Sequence, residues 1–273
     1  MGSSMSSEPL AALRRPVQPL PPRPRDYAWA WAAGVVALLL GITWHLGINF
    51  AALAAGLGDI AEYVHRYSTP NFTDWSRYLA LMGITLATAL WGTAIAAGLS
   101  FILAPLAAKN FSPHPVVYRG AREILNFMRA MPDLVLALMF VAAIGLGPFP
   151  GALALGVHSS GFLGKFLAEC MERVDKDTCE GVASTGAGFI QRLAFVAWPT
   201  ILPEGLGYLL FILDRNVRMA SVLGMVGAGG IGFELYNSLR MFNYDQSAAM
   251  ILVILATLLL IDHAASWLRR RLE

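Results

Sequence analysis

Along most of this chain the charged positions lie too far apart for a half-buried strand or a two-faced soluble helix. Tyr27–Ile48 runs 22 residues without a formal charge, and Tyr78–Ala108 and Leu134–Gly164 each run 31. At about 1.5 Å per residue, the shortest of these blocks makes a helix of roughly 33 Å, enough to cross a bilayer's hydrocarbon core. The pattern predicts an all-α, polytopic membrane bundle of about six transmembrane helices. They are placed near 28–48, 79–107, 126–146, 150–168, 199–217 and 246–267. Gly145-Leu-Gly-Pro-Phe-Pro-Gly151 interrupts the third block, which is therefore read as two helices joined by a tight turn. In "RAMPDL" (129–134), Pro132 is expected to start a helix and Arg129 to anchor it at the inner surface.

Composition supports the membrane reading. Of the 273 residues 56% are hydrophobic and 14% charged, against about 25% charged in an average soluble domain. The basic residues then orient the spans. With both termini cytoplasmic, the inner segments 1–27, 109–130 and 165–198 carry four Lys or Arg each, and 268–273 carries three. The outer segments 49–78, 145–151 and 214–246 carry two, none and three, so the bias follows the positive-inside rule. Residues 1–27 hold six prolines and no apolar periodicity, and read as a flexible cytoplasmic arm before a transmembrane domain at 28–273. No cleavable signal peptide is expected, because the first apolar block starts late and is long enough to span. Cys170 and Cys179 fall in an inner segment, where thiols stay reduced, and their spacing makes no zinc site.

Two motifs invite a nucleotide and neither has the right surroundings. "GMVGAGGIG" (224–232) has the spacing Gly227-x-Gly229-x-x-Gly232 of a dinucleotide loop. That loop needs a preceding strand, a following helix and an acid about 20 residues on. The acids here, Glu234 and Asp245, are misplaced, and no βαβ unit fits the chain around them. "SSGFLGKF" (159–166) has Ser159 and Phe166 where a P-loop needs Gly and Ser or Thr.

The longest inner segment, 169–203, has a polar start, a run of small residues, an apolar-periodic stretch and two prolines. Ala183, Ala187, Ile190 and Ala194 recur at helical spacing, and Gly186 and Gly188 permit a sharp bend. Pro199 is placed to open the next span. The pattern describes a helix–turn–helix along the membrane surface offered to a cytoplasmic partner. An ordinary amphipathic interfacial loop accounts for it equally.

In this segment Glu180-Gly-Val-x3-Gly186-x9-Val196-x-Trp198-Pro199 resembles the E-A-A-x3-G-x9-I-x-L-P loop of ABC importer permeases. Gly181, Val182, Val196 and Trp198 depart from that pattern. Over roughly 65–268 the chain resembles the phosphonate-importer branch, in "PNFTDW" (70–75), "LWGTAIA" (90–96), "FVAAIGLGPFPGALAL" (140–155) and "NVRMASVLGMVGAGGIG" (216–232). The resemblance implies a type I ABC importer permease fold in a bacterial cytoplasmic (inner) membrane. It implies two permease copies, as a homodimer or a pair, two ATPase subunits below and an extracytoplasmic phosphonate-binding protein. Glu180, Gly186 and Pro199 would belong to a coupling loop, about 169–199, seated in the ATPase. This chain would hold no cofactor and perform no chemistry, with ATP and Mg bound by the ATPase. A metal or nucleic-acid partner is not implied.

Polar residues inside spans are costly and mark candidate pathway sites. His158 and Ser159, with Ser160, sit midway along the fourth span and serve either the ligand or bonds to neighbouring helices. Arg215, Asn216 and Arg218 lie beside the expected outer end of the fifth span. The two arginines share a helical face and suit phosphoryl oxygens, or merely anchor an interface with an Asp214–Arg218 ion pair. Gly227, Gly229 and Gly230 are read as a gate or close helix crossing, with an anion-facing backbone nest as the other option. Residues 59–77 suit an interfacial helix.

An ion-coupled secondary transporter of a small anion is the competing class. It would need a carboxylate buried in the spans, for which Glu204, near the inner end, is the one candidate. A membrane scaffold without transport is a third class, opposed by the Glu180–Gly186–Pro199 segment.

Overall fold

The computed structural model describes residues 27–47 and 49–272 and is built of α-helices, with no strand among those residues. The proline-rich arm expected at 1–27 lies, except for Tyr27, outside the described residues. The chain divides into two compact units, 1–60 and 61–273.

In the first unit α1 (Ala28–His45) carries apolar side chains on all faces, with Trp31 78% and Trp44 90% exposed. A helix apolar all round is a membrane span or a buried core helix. Its 18 residues fall just short of a bilayer core. The short α2 (Phe50–Ala55) follows, and α3 (Leu57–Arg66) carries the chain into the second unit. Arg66 pairs with Glu62 one turn away at 2.9 Å, which holds the Glu62 carboxyl below its usual pKa.

The second unit is organised around one helix. It contains α4 (Trp75–Ala107), α5 (Pro115–Ala130), α6 (Asp133–Ile144), α7 (Pro148–Glu172) and α8 (Lys176–Ser184). Then come α9 (Phe189–Arg192), α10 (Trp198–Leu223), α11 (Gly230–Arg240) and α12 (Tyr244–Leu272). α7 packs against α4, α5, α6 and α10, and 16 of its 25 residues are buried. Small residues allow this. A Cβ on Gly92 would lie 2.7 Å from the Leu155 Cβ, and one on Gly161 2.6 Å from the Arg129 nitrogen. Close backbone approach at small residues is how helices associate where lipid supplies no hydrophobic drive.

Among the described residues three helical runs are long and apolar enough to cross a membrane: Trp75–Ala107, Phe189–Val226 and Tyr244–Arg271. α7 has the length, but its Gly, Ser, His and Lys content suits a helix that faces protein rather than lipid. The turn expected at 145–151 falls at 145–147, between α6 and α7, where Gly145 (φ 106°) and Gly147 (φ 141°) take conformations closed to other residues.

One expectation fails here. The third span, placed at 126–146, is not one helix: α5 and α6 meet at 88°. Met131 is extended, as a residue before proline prefers, and Pro132 has no N–H to continue the ladder. Pro199, by contrast, stands in the first turn of α10, as expected. The helical run begins at Phe189 and passes through a wide turn at 193–197, in which the Trp198 N–H bonds the Leu193 carbonyl. That wide turn absorbs the hydrogen bond which Pro199 cannot make.

Two apolar clusters form the core. One joins Ala104, Ala107, Leu125, Leu163, Met171 and Val196 at the α8 end. The other joins Met82, Leu136, Leu155, Leu223, Ile231 and Met250 at the opposite end. Between them α4, α7 and α10 contribute a layer of buried polar side chains: Thr93, His158, Ser159, Ser160, Asp214 and Asn216.

Candidate functional site

The polar layer has a fully satisfied part and a charged part. In the first, the Ser159 hydroxyl donates to the Asn216 Oδ1 at 2.6 Å. The Asn216 amide donates to the Thr93 hydroxyl at 3.0 Å, and that hydroxyl donates to the Ala89 carbonyl at 2.8 Å. Ser159 and Asn216 are each 1% exposed. Their groups are used in tying α4, α7 and α10 together. A buried network satisfied in this way specifies a packing.

The charged part surrounds the α5–α6 break. Arg215 donates to the His158 Nε2 at 2.7 Å, which leaves the Nδ1 proton of a neutral ring to bond the Met131 carbonyl at 2.8 Å. Beneath it, the guanidinium lies 4.5 Å from the Phe162 ring centre, and the Arg129 guanidinium approaches the same ring at 5.7 Å. The Asp133 carboxylate is 3.9 Å from Arg215, and its Oδ2 is buried with no hydrogen bond among the described residues. The arrangement presents two cations, a polarised ring and one loosely held carboxylate on a half-buried wall. It has the parts to receive a small anion.

The arginines are not where the hydropathy put them. The helix of the fifth span continues to Leu223, so Arg215 and Arg218 lie in the body of α10 and not at its end. They also part company: Arg215 turns to α7 and α6, whereas Arg218 pairs with the buried Asp214 one turn back. Glu204 is accordingly not the lone carboxylate in the spans, since Asp133 and Asp214 are there too. All three are matched with arginines, Glu204 with Arg173 at 2.6 Å.

The glycine segment makes a tight hairpin between α10 and α11. A Cβ on Gly224 would lie 2.7 Å from the Gly229 oxygen and 2.8 Å from the Gly232 Cα. One on Gly232 would fall on the Ser221 carbonyl, and one on Gly230 on the Thr85 hydroxyl. Gly227 (φ 99°), Gly229 (φ 74°) and Gly230 (φ 73°) all take left-handed conformations. The Ile231 N–H is bonded to the Thr85 hydroxyl at 3.0 Å, and the Gly147 N–H to the Gly227 carbonyl at 2.9 Å. Crossing backbones occupy the space here.

At the α8 end, Glu180 and Gly186 belong to a helix–turn–helix. Gly186 (φ 82°) makes the turn after α8, and nothing lies within 4 Å of a Cβ placed on it. The side chain of Gln191 accepts from the Gly188 N–H at 2.8 Å and starts α9. Cys179 and Val182 face the core cluster, and burial raises the Cys179 thiol pKa. Glu180 is exposed and makes no side-chain hydrogen bond among the described residues. The register of α8 is held instead by Asp175 at its start. Ile190 (78% exposed) and Phe195 (75%) leave an apolar stripe uncovered among the described residues.

Sequence patterns alone missed Asp133, Phe162 and Thr93. Asp133 carried one local signal, its place just after Pro132. Nothing local links it to Arg215. A cleft of about 600 Å³ lined by Phe166, Glu204, Tyr208 and Arg269 lies along the half of α10 nearer α8, away from these groups. Among the described residues no group of His, Cys, Asp and Glu could hold a metal.

Comparison with known proteins agrees with this architecture. The phosphite transport system permease protein PtxC of Stutzerimonas stutzeri is 38% identical, over 94% of this chain and 98% of its own length. The phosphate-import permease protein PhnE of Mycolicibacterium smegmatis is 40% identical over 83% of this chain, which spans 43% of that longer protein. Among solved structures, the MetNI methionine ABC transporter in inward-facing form matches with a TM-score of 0.58 at 19% identity, over 72% of this chain and 94% of that one. A chain of an amino acid ABC transporter matches with a TM-score of 0.59 at 17% identity, over 74% and 99%. At such identities these structures establish the fold, an ABC importer permease bundle. Residues 96–273 match the family described as binding-protein-dependent transport system inner membrane component, and the chain belongs to that family.

Proposed function

We propose that this chain is the permease subunit of an ATP-driven importer for phosphonate or a related phosphorus oxyanion such as phosphite. Its ligand comes from an extracytoplasmic binding protein and leaves to the cytoplasm. The observation that carries this reading is the match to a phosphite permease over nearly the whole of both chains. The chain does no chemistry and holds no cofactor. ATP and Mg belong to a separate ATPase dimer, which the uncovered Ile190–Phe195 stripe and the exposed Glu180 are suited to meet. Closure of that dimer would push the Gly186 turn and rock α10, since the helical run that contains α10 begins at Phe189, just past that turn. Two copies of this chain would enclose the pathway. Both termini are cytoplasmic, and the transmembrane domain occupies 28–273. What supports this orientation is the positive-inside bias of the basic residues.

The test is uptake in cells stripped of their own phosphorus importers and given this permease with its ATPase and binding protein. Phosphite, methylphosphonate and phosphate are supplied separately. Uptake that requires the ATPase and survives a protonophore is expected. Uptake that persists without the ATPase and collapses with the protonophore would return the secondary-transporter reading. Saturable ATP binding to the isolated chain would also count against the proposal.

A further inference from the structure

We propose that Asp133 is the resident counterion of Arg215, a positioning residue that yields the guanidinium to the transported oxyanion and reclaims it afterwards. The inference rests on the oxyanion reading above. It starts from an asymmetry in how Arg215 is held. His158 binds one of its nitrogens at 2.7 Å and Phe162 lies under its plane at 4.5 Å, so the guanidinium is oriented. Asp133 at 3.9 Å attracts it without hydrogen-bonding it. A tetrahedral phosphorus oxyanion offers paired oxygens at hydrogen-bonding distance, which a guanidinium fork prefers to a carboxylate out of reach.

The displaced carboxylate is not stranded. Asp133 is the first residue of α6, where the helix dipole and free N–H groups favour a negative charge. One backbone segment also sets both partners. The Met131 carbonyl aims the His158 ring that aims Arg215, and Asp133 follows two residues later across Pro132. The local charge balance is that of a pathway and not of a store. Arg129 and Arg215 against Asp133 leave one net positive charge, enough to admit an anion. Without Asp133 there would be two, and release would slow.

The experiment is a double-mutant cycle in the complete transporter, with permease, ATPase and binding protein in liposomes. Asp133→Asn, Arg215→Gln and the double variant are each measured for thermal stability and for phosphite uptake. Each single variant is expected to lower the melting temperature, because it leaves one charge unpaired in a buried place. The double variant is expected to regain most of that loss, yet to stay roughly tenfold or more below the parent in uptake, since the oxyanion has lost its guanidinium. Asp133→Asn alone should retain uptake at a reduced turnover, and Asp133→Glu should recover it. Recovery of uptake together with stability in the double variant would make the pair a structural tie and overturn the proposal. So would an Asp133→Asn variant unchanged in both readouts. If the parent complex takes up no phosphorus oxyanion, the substrate reading fails by itself, while the stability cycle, which uses no substrate, still judges the pair.

Discussion

Replacing Gly224 by Ala tests what the glycines between α10 and α11 are for. Gly224 has helical dihedrals (φ −52°, ψ −38°), so alanine meets no backbone penalty there and only space can object. The added Cβ would stand 2.7 Å from the Gly229 oxygen and 2.8 Å from both the Gly232 Cα and the Phe233 nitrogen. Ordinary contact begins near 3.4 Å, so the facing arm must retreat by about 0.7 Å. All three obstacles are backbone atoms, which no side-chain rotation can relieve. Overpacking of this kind costs about 1–3 kcal/mol, and a unit of this size loses roughly 2–4 °C per kcal/mol. Gly224→Ala should therefore melt about 2–12 °C below the parent. Gly98→Ala is the control: it sits in α4 with nothing within 4 Å of its Cβ, and helix propensity favours the alanine. Melting of both purified variants in one detergent, alongside oxyanion uptake, decides the matter. A Gly224→Ala protein that melts with the parent but has lost uptake would refute the crossing argument and point to an anion-binding nest.

Three further outcomes are expected. Gly186→Val should insert normally yet lose binding-protein-stimulated ATP hydrolysis, whereas Gly186→Asn, which tolerates a left-handed backbone, should keep most of it; equal hydrolysis in both would dismiss the turn, and normal hydrolysis and uptake in Gly186→Val and Glu180→Ala would sink the coupling assignment. Asn216→Ala should destabilise by about 1–3 kcal/mol, more than Ser159→Ala, because it strands the Ser159 hydroxyl and also removes the amide bonded to Thr93; thermal melts of the pair check the order. Cys179 should react with maleimide near pH 7.5 more slowly than an exposed engineered cysteine, since a raised pKa leaves little thiolate; matching rates would show α8 turned the other way.

The sequence by itself determined the membrane character, the helical class and the places of most long helices. The physical reason is that lipid offers no partner to backbone N–H and C=O groups, so a long uncharged block has hardly any option but a helix. It also determined the turn at 145–147, because glycines between two apolar runs, one of them just before a proline, leave few other conformations. The tertiary structure alone decided what surrounds Arg215 and Arg218. A hydropathy pattern charges an arginine its full cost of burial, but here His158, Asp133 and Asp214 on the same or distant helices offset that cost, and the helix runs past both arginines. The α5–α6 break was half visible, in Pro132. Its 88° bend depends on α7, which packs with both halves and whose His158 holds the Met131 carbonyl left open at the break. The glycine segment was legible as glycine-rich and open in meaning. Spacing alone does not separate a nest from a crossing, because the difference lies in what stands opposite each missing side chain, and that is a property of the folded chain.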